Sequence, residues 1–230
     1  MPLPASAPTI AFDLDGTLVD TAQDLVATLN AILAGEDMEP VPFDTGVALV
    51  GSGARVMIQS AFAVSGRSLT PEKLEVLFHN FLAYYDDHLV DTSRPYPGVE
   101  AALDKLAGDG WRLAICTNKS QAPARKLIDL LGLTPRFAAI TGADTYAFRK
   151  PDPRHLIETI RAAGGDPANS VMVGDSATDV DTALAAKIPV VAVTFGYSPT
   201  PVADLGATRL IDHYDQLHAA ATDLVRQRAP

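Results

Sequence analysis

The sequence predicts a three-layer α/β fold, in which a parallel sheet lies between two layers of helices and an all-helical cap is inserted near the start. Three observations carry this expectation. Five short apolar runs rich in β-branched residues recur at residues 9–15, 112–118, 138–144, 170–175 and 189–195. Segments of helical period separate the later runs, and the stretch 21–93 holds helix after helix with no such run.

The runs are TIAFDLD, RLAICTN, AAITGAD, SVMVGD and PVVAVTF, each of strand length. Their nearly continuous apolar character points to burial on both faces, as in a parallel sheet covered by helices. Between them, Ala124, Leu127, Ile128 and Leu131 repeat at helical spacing up to Gly132, and Leu156, Ile157 and Ile160 do so up to Gly164. This alternation predicts a Rossmann-like core. In the insert, Leu25, Leu29, Ile32 and Leu33 mark one helix, and Leu74, Leu77, Phe78, Phe81, Leu82 and Tyr85 another, whose start is signalled by Thr70-Pro71-Glu72. RPYPGVE (94–100) reads as a Pro/Gly hinge returning the chain to the α/β pattern. The expected division is a core of 1–20 and 94–230 with a helical cap of 21–93.

Composition excludes several classes of function. With 230 residues, 47% hydrophobic and 20% charged, and with Gly and Pro spread along the chain, a sizeable core can be buried, and neither a disordered tail nor a collagen-like repeat fits. The 28 acidic residues exceed the 18 basic ones, and a net charge of −10 repels a polyanion, so no nucleic-acid partner is expected. Cys116 is alone and forms no intrachain disulfide, which suits a reducing cytoplasm. The opening MPLPASAPTI has neither a basic nor an apolar leader region, and no later run approaches the ~18 apolar residues of a membrane span. A cytoplasmic monomer or homodimer acting on a small molecule is expected.

Ligands of open parallel sheets bind at the carboxyl ends of the strands, so the polar residues closing each run carry the functional reading. The first run closes as Asp13-Leu14-Asp15-Gly16-Thr17, the second as Thr117-Asn118-Lys119, and the fourth as Gly174-Asp175-Ser176-Ala177-Thr178-Asp179; Arg149-Lys150-Pro151 precedes the fourth. Acids at i and i+2 on an extended segment share a side, and parallel packing brings Asp175 and Asp179 towards them. Four ionised Asp against Lys150 leave a net charge of about −3, which calls for a cation. An all-oxygen donor set without a His or Cys cluster favours Mg2+ over zinc.

FDLDGTLVD (12–20), Thr117 at a strand end, the Lys150-Pro151 pair and GDSATD (174–179) resemble, in order, the four motifs of the haloacid dehalogenase-like hydrolases. The cap directly after the first motif, CTNKS (116–120) and TFGYS (194–198) resemble the phosphoglycolate phosphatase branch of that family. The resemblance covers nearly the whole chain outside the cap. It implies a Mg2+-dependent phosphomonoester hydrolase acting through an aspartyl-phosphate, with 2-phosphoglycolate as the foremost substrate. Asp13 would be the nucleophile and Asp15 the acid and base; Asp13, the Asp15 carbonyl and Asp175 would hold Mg2+. Thr117, Asn118 and Lys150 would contact the phosphoryl group, and Asp179 would act behind them through Lys150 or metal-bound water. Gly16 and Gly174 would leave room for backbone to approach the phosphoryl and the metal.

Read alone, Asp13 to Thr17 is also an ordinary turn with capped acids; four ordered motifs favour chemistry. Thr117 alone would be a β-branched strand residue, and Arg149 a surface charge beside the Lys-Pro pair. GSGAR (51–55) lacks the third Gly and the strand of a dinucleotide loop, leaving an interhelical turn or a specificity loop carrying Arg55 to the substrate. Cys116 reads as a buried small hydrophobe, and the five scattered His carry no ligand spacing. Competing functions are a sugar-phosphate mutase using the same Asp13 and Asp15, a phosphatase for another small phosphate or pyrophosphate, a haloacid dehalogenase, against which Asp15 and Asp175 speak, and a non-catalytic regulatory binding protein.

Overall fold

The computed structural model describes residues 7–228. The reading of the chain start as no leader, and the outer limits of the expected core, fall partly on residues outside this range. A six-stranded sheet forms the centre: β1 (Thr9–Phe12), β4 (Arg112–Cys116), β5 (Ala139–Thr141), β6 (Ser170–Gly174), β7 (Val190–Val193) and β8 (Arg209–Ile211). Its order is β5-β4-β1-β6-β7-β8, with every neighbouring pair parallel. β1 is central, with Phe12 level with Ile115 on one side and Val173 on the other. The chain winds outward through β4 and β5, then returns to the opposite flank for β6, and such a reversal opens a crevice at the carboxyl edge.

Alternate strand residues face opposite layers. Ile10, Phe12, Leu113, Ile115, Val171 and Val173 join one apolar cluster with α5 (Val99–Gly108), α6 (Gln121–Leu130) and α9 (Leu217–Arg226). Ala11, Ala114, Cys116 and Met172 join the other, with α7 (Pro153–Ala162) and α8 (Ala177–Ala185). Burial on both faces is why these strands read as unbroken apolar runs. The predicted stops are present: the chain leaves α6 and α7 through Gly132 and Gly164, both at positive φ. β8 was not foreseen because only Ile211 of its three residues is buried, so no apolar run marks it.

The helical stretch lies between two short strands, β2 (Val19–Asp20) and β3 (Arg94–Pro95), which pair antiparallel, Val19 with Pro95 and Asp20 with Arg94. Between them run α1 (Ala22–Ala34), α2 (Phe43–Val47), α3 (Ala54–Val64) and α4 (Pro71–Asp87). Thr70 caps α4 by accepting from the Lys73 N–H, as its sequence predicts. Leu25 and Leu29 of α1, Met57 and Ile58 of α3, and Leu77 and Phe81 of α4 belong to the same apolar cluster as the sheet face. Buried Asp24 clasps the two ends of the stretch, accepting from the backbone N–H and hydroxyl of both Thr92 and Ser93 at 2.5–3.0 Å. Burial pushes the Asp24 carboxyl up, but these hydrogen bonds outweigh it and leave the pKa below the usual value.

Candidate active site

The three central strands end in the residues that the sequence singled out. Asp13 follows β1, Thr117 follows β4 and Asp175 follows β6, and all three are buried. Asp13 and Thr117 each extend the ladder by one bond, donating to the Val173 carbonyl at 2.9 Å and the Thr141 carbonyl at 3.1 Å. Their side chains are therefore held on rigid strand ends rather than on free loops.

Lys150 lies between two carboxylates, its Nζ 2.9 Å from Asp13 Oδ1 and 2.6 Å from Asp179 Oδ1. Despite burial, these charges raise the Lys150 pKa further above its ordinary value, so it stays an ammonium. The second Asp179 oxygen accepts from the Ser176 hydroxyl at 2.7 Å and from the N–H groups of Ser176 and Asp175, forming a capping box at the start of α8. Asp179 is thus occupied with Lys150 and the helix start. Asp175 has neutral partners only: Oδ1 accepts from the Thr17 hydroxyl at 2.9 Å and Oδ2 from the Tyr197 N–H at 2.8 Å, with no ion pair among the described residues.

The consequence is a shortage of positive charge. Burial pushes Asp13 up to about 6, opposed by Lys150 and reinforced by Asp179. Burial, then Asp179 and Asp13, push Asp175 up to about 8. Oxygens of Asp13, Asp175 and Asp179 lie within 4.8 Å of one another. An all-oxygen donor set that close, with one carboxylate lacking any cation, fits a hard divalent ion.

The structure adds Lys119, to which the sequence reading gave no role. Its Nζ lies 2.9 and 3.2 Å from the two oxygens of Asp15 and 4.4 Å from the centre of the Tyr85 ring on α4. Asp15 Oδ1 also accepts from the Thr21 hydroxyl at 2.7 Å, so its carboxylate is clamped from two sides. Against the cost of burial, Asp15 raises the Lys119 pKa. The charge count from sequence needs correcting: Lys150 and Lys119 together leave about −2 rather than −3 against four ionised carboxylates. The available signal was the place of Lys119 two residues past Thr117, in a loop leaving the central edge of the sheet.

One pocket joins the carboxylates to the helical stretch, with Asp13, Asp15, Thr117 and Lys119 on one side and Arg55 and Phe78 on the other. Arg55 stands in the first turn of α3, just after Gly53 at positive φ, so GSGAR is half turn and half helix start. Its Nε and Nη2 each lie 2.8 Å from Glu75, and its guanidinium lies 3.5 Å from the centre of the Phe78 ring. Arg55 therefore reaches the pocket with two of its nitrogens already engaged. Asn118 also lines the pocket, but its amide donates to the Lys150 carbonyl at 3.1 Å. The Thr117 hydroxyl accepts from the Lys119 N–H at 3.1 Å, leaving its own hydrogen to donate. Arg149 is exposed at the rim.

The two glycines are required for a nearer reason than ligand approach. A Cβ at Gly16, where φ is +80°, would stand 2.6 Å from Asp175 Oδ2, and one at Gly174 would stand 2.3 Å from the Asp179 Cβ. They make room for the carboxylates themselves. Cys116 is buried, as expected, and burial pushes its thiol up to about 12.

A parallel α/β sheet carrying a buried carboxylate cluster and two ammoniums at its carboxyl edge defines a hydrolase-type centre. Residues 10–193 match the model of a family described as haloacid dehalogenase-like hydrolase, and the chain belongs to that family. It is 52% identical over 212 residues to a phosphoglycolate phosphatase of Mesorhizobium japonicum, covering 92% of this chain and 93% of the relative. It is 47% identical to one of Agrobacterium fabrum, covering 93% and 92%. Among solved structures, it superimposes with a TM-score of 0.87 on a predicted phosphoglycolate phosphatase from Haemophilus somnus, at 28% identity and covering 93% of this chain and 97% of that one.

Proposed function

We propose that this protein is a phosphomonoester hydrolase that takes the phosphoryl group of 2-phosphoglycolate onto Asp13 and releases it to water. The observation that carries the reading is the placement of Asp13: a buried carboxylate on a rigid strand end, with one oxygen on Lys150 and its face on the pocket. Attack by Asp13 on phosphorus forms an acyl phosphate and breaks the P–O bond to the leaving alkoxide, and water then attacks phosphorus to regenerate the carboxylate. Asp15, two residues on and fixed by Thr21 and Lys119, enters the first step protonated, gives that proton to the alkoxide as an ionised carboxylate forms, and takes a proton back from the attacking water. Thr117 donates its free hydroxyl hydrogen to the phosphoryl oxygens, and Lys150 keeps Asp13 oriented through its second anchor on Asp179.

Asp13, Asp175 and the Asp15 main-chain carbonyl would hold Mg2+, which when bound supplies the positive charge that the phosphoryl oxygens and carboxylates require. Helices α1–α4 act as a cap domain spanning 21–93, reading the part of the substrate that is not phosphoryl. The names of the relatives and the presence of Arg55 across the pocket from Asp13 both favour a small substrate with a second anionic group. Among the described residues no helix is long and apolar enough to cross a membrane. We place the enzyme in the cytoplasm, as a monomer or homodimer with no nucleic-acid partner.

The test is release of inorganic phosphate from 2-phosphoglycolate by wild type and Asp13→Asn, with and without chelation of divalent ions. Wild type with Mg2+ is expected to turn over, while the variant and the chelated enzyme do not. Turnover by Asp13→Asn within tenfold of wild type would overturn the assignment of the nucleophile. A preference for a hexose phosphate, or its isomerisation without phosphate release, would overturn the substrate or the reaction.

A further inference from the structure

The segment leaving β7 grips the site and the helical insert at once. Gly196 passes so close to Asp175 that a Cβ there would stand 2.2 Å from the Asp175 Cβ. The next residue, Tyr197, donates its N–H to Asp175 Oδ2 at 2.8 Å, and its ring Cδ2 lies 2.7 Å from where a Gly16 Cβ would be. The ring then carries its hydroxyl to the first crossing into the insert. That oxygen accepts from the N–H groups of Thr21 at 2.7 Å and Ala22 at 3.0 Å, and donates to Asp20 Oδ1 at 2.5 Å. Two acceptor sites and one hydrogen are all that a phenol has, and all are used.

These bonds do a task that α1 does not perform for itself. Thr21 stands at the N-cap of α1 but makes no side-chain cap bond, and its hydroxyl donates to Asp15. Two N–H groups at the helix start, those of Thr21 and Ala22, are met instead by a residue about 175 positions away in sequence. The return crossing is held by the neighbouring residue: the Phe195 ring lies 4.7 Å from that of Tyr96, which follows β3 directly. One short segment therefore touches Asp175, the outgoing crossing and the return crossing.

We propose that Tyr197 is a positioning residue that ties the first crossing of the insert to Asp175, so that occupation of the phosphate site and the attitude of the insert are set together. This rests on the reading of the site as one that takes phosphate. Asp175 lacks a cation partner among the described residues, so ligand arriving at the site changes the forces on the carboxylate that the Tyr197 N–H holds. The aromatic ring, held at one end by the Tyr197 backbone on Asp175 and at the other by the Thr21 and Ala22 amides, is the link that carries a shift from one to the other.

The experiment is amide hydrogen exchange at Thr21 and Ala22 in the full chain, with and without Mg2+ plus inorganic phosphate, using the amides of α9 as reference for general stabilisation by ligand. In wild type, ligand is expected to slow exchange at Thr21 and Ala22 by roughly tenfold more than in α9, a coupling within the ordinary range. Tyr197→Phe, which keeps the ring and the N–H to Asp175 but loses the hydroxyl, is expected to abolish that excess. Equal slowing in α9 and at the crossing, or an excess that survives in Tyr197→Phe, would overturn the proposal. Should Tyr197→Phe fold poorly, Asp20→Ala at an exposed position removes the acceptor of the hydroxyl hydrogen and is expected to lessen the excess about threefold, and an unchanged excess would count against the proposal. Exchange needs no turnover, so a negative hydrolysis assay with 2-phosphoglycolate would sink the substrate assignment while leaving this coupling open to its own result.

Discussion

The sharpest consequence of the site concerns Arg55. If this guanidinium receives the carboxylate of 2-phosphoglycolate, it must do so in competition with Glu75, which already holds Nε and Nη2 at 2.8 Å each. A charged hydrogen bond of this kind is worth ~1.5–3 kcal/mol when nothing competes for it. The substrate gains only the difference between its own carboxylate and that of Glu75, so the lower end applies. Arg55→Ala is expected to lower kcat/KM for 2-phosphoglycolate about tenfold, equivalent to ~1.4 kcal/mol. Hydrolysis of an aryl phosphate without a carboxylate should change little. Glu75→Gln has the opposite sign: it weakens the hold on the fork and should lower KM for 2-phosphoglycolate, whereas in an Arg55→Ala background it should do nothing. Steady-state kinetics on both substrates for the four proteins of this cycle provide the assay. Equal losses on both substrates in Arg55→Ala, or a Glu75→Gln effect that persists without Arg55, would assign the pair to the packing of α3 on α4.

Two further outcomes are expected. Lys119→Met removes the ammonium that fixes Asp15 while keeping the stem against Tyr85, and should cut kcat by more than tenfold on an alkyl phosphate, whose alkoxide needs a proton, but less on an aryl phosphate with a good leaving group; equal loss on both would separate Lys119 from proton transfer. The pH dependence of stability in the metal-free protein should run in two opposed directions. Asp175, lifted from 3.8 to about 8, binds a proton in the fold that the unfolded chain does not hold between these values, so its contribution to stability rises as pH falls through that window. His155, lowered from 6.5 to about 4 by burial and by the Lys150 charge, is neutral in the fold, so its contribution is complete above 6.5 and is lost as pH falls towards 4, by up to about 3 kcal/mol. Urea unfolding at pH 8, 6.5 and 4.5 of wild type, Asp175→Asn and His155→Gln separates the two contributions, and a wild type whose stability falls between pH 8 and 6.5 would contradict the first.

What could be read from the sequence was set by how local each signal is. The buried strands were legible because two covered faces make a run continuously apolar, and Asp13, Thr117 and Asp175 were legible because each stands immediately after such a run. The ends of α6 and α7 were legible through Gly132 and Gly164, and the start of α4 through Thr70 and Pro71. What escaped depends on residues distant in sequence. Lys119 meets Asp15 across 104 positions, Asp24 meets Thr92 across 68, and Arg55 meets Glu75 from the next helix, 20 positions on. No periodicity reports such pairs. β8 escaped for the opposite reason: its pairing is local to β7, but an edge strand of three residues with one buried side chain leaves no pattern.

The same distinction explains how the charges of the site are divided. Lys150 is bound to Asp13 and Asp179, all three buried, and its geometry is fixed by the strands and by the capping box at α8. Lys119 is bound to Asp15 and lies over a ring that belongs to α4, so its place depends on the helical stretch as much as on the sheet. Asp13 is therefore held by the sheet layers alone, while Asp15 is held by a contact that spans sheet and insert. Moving the insert would leave Asp13 and Lys150 where they are and release Lys119 from Tyr85. On the proposed reading, this lets the chain keep its nucleophile ready at all times yet complete the proton-transfer machinery only with the insert in place, so that protonation of the leaving alkoxide waits until a substrate is enclosed.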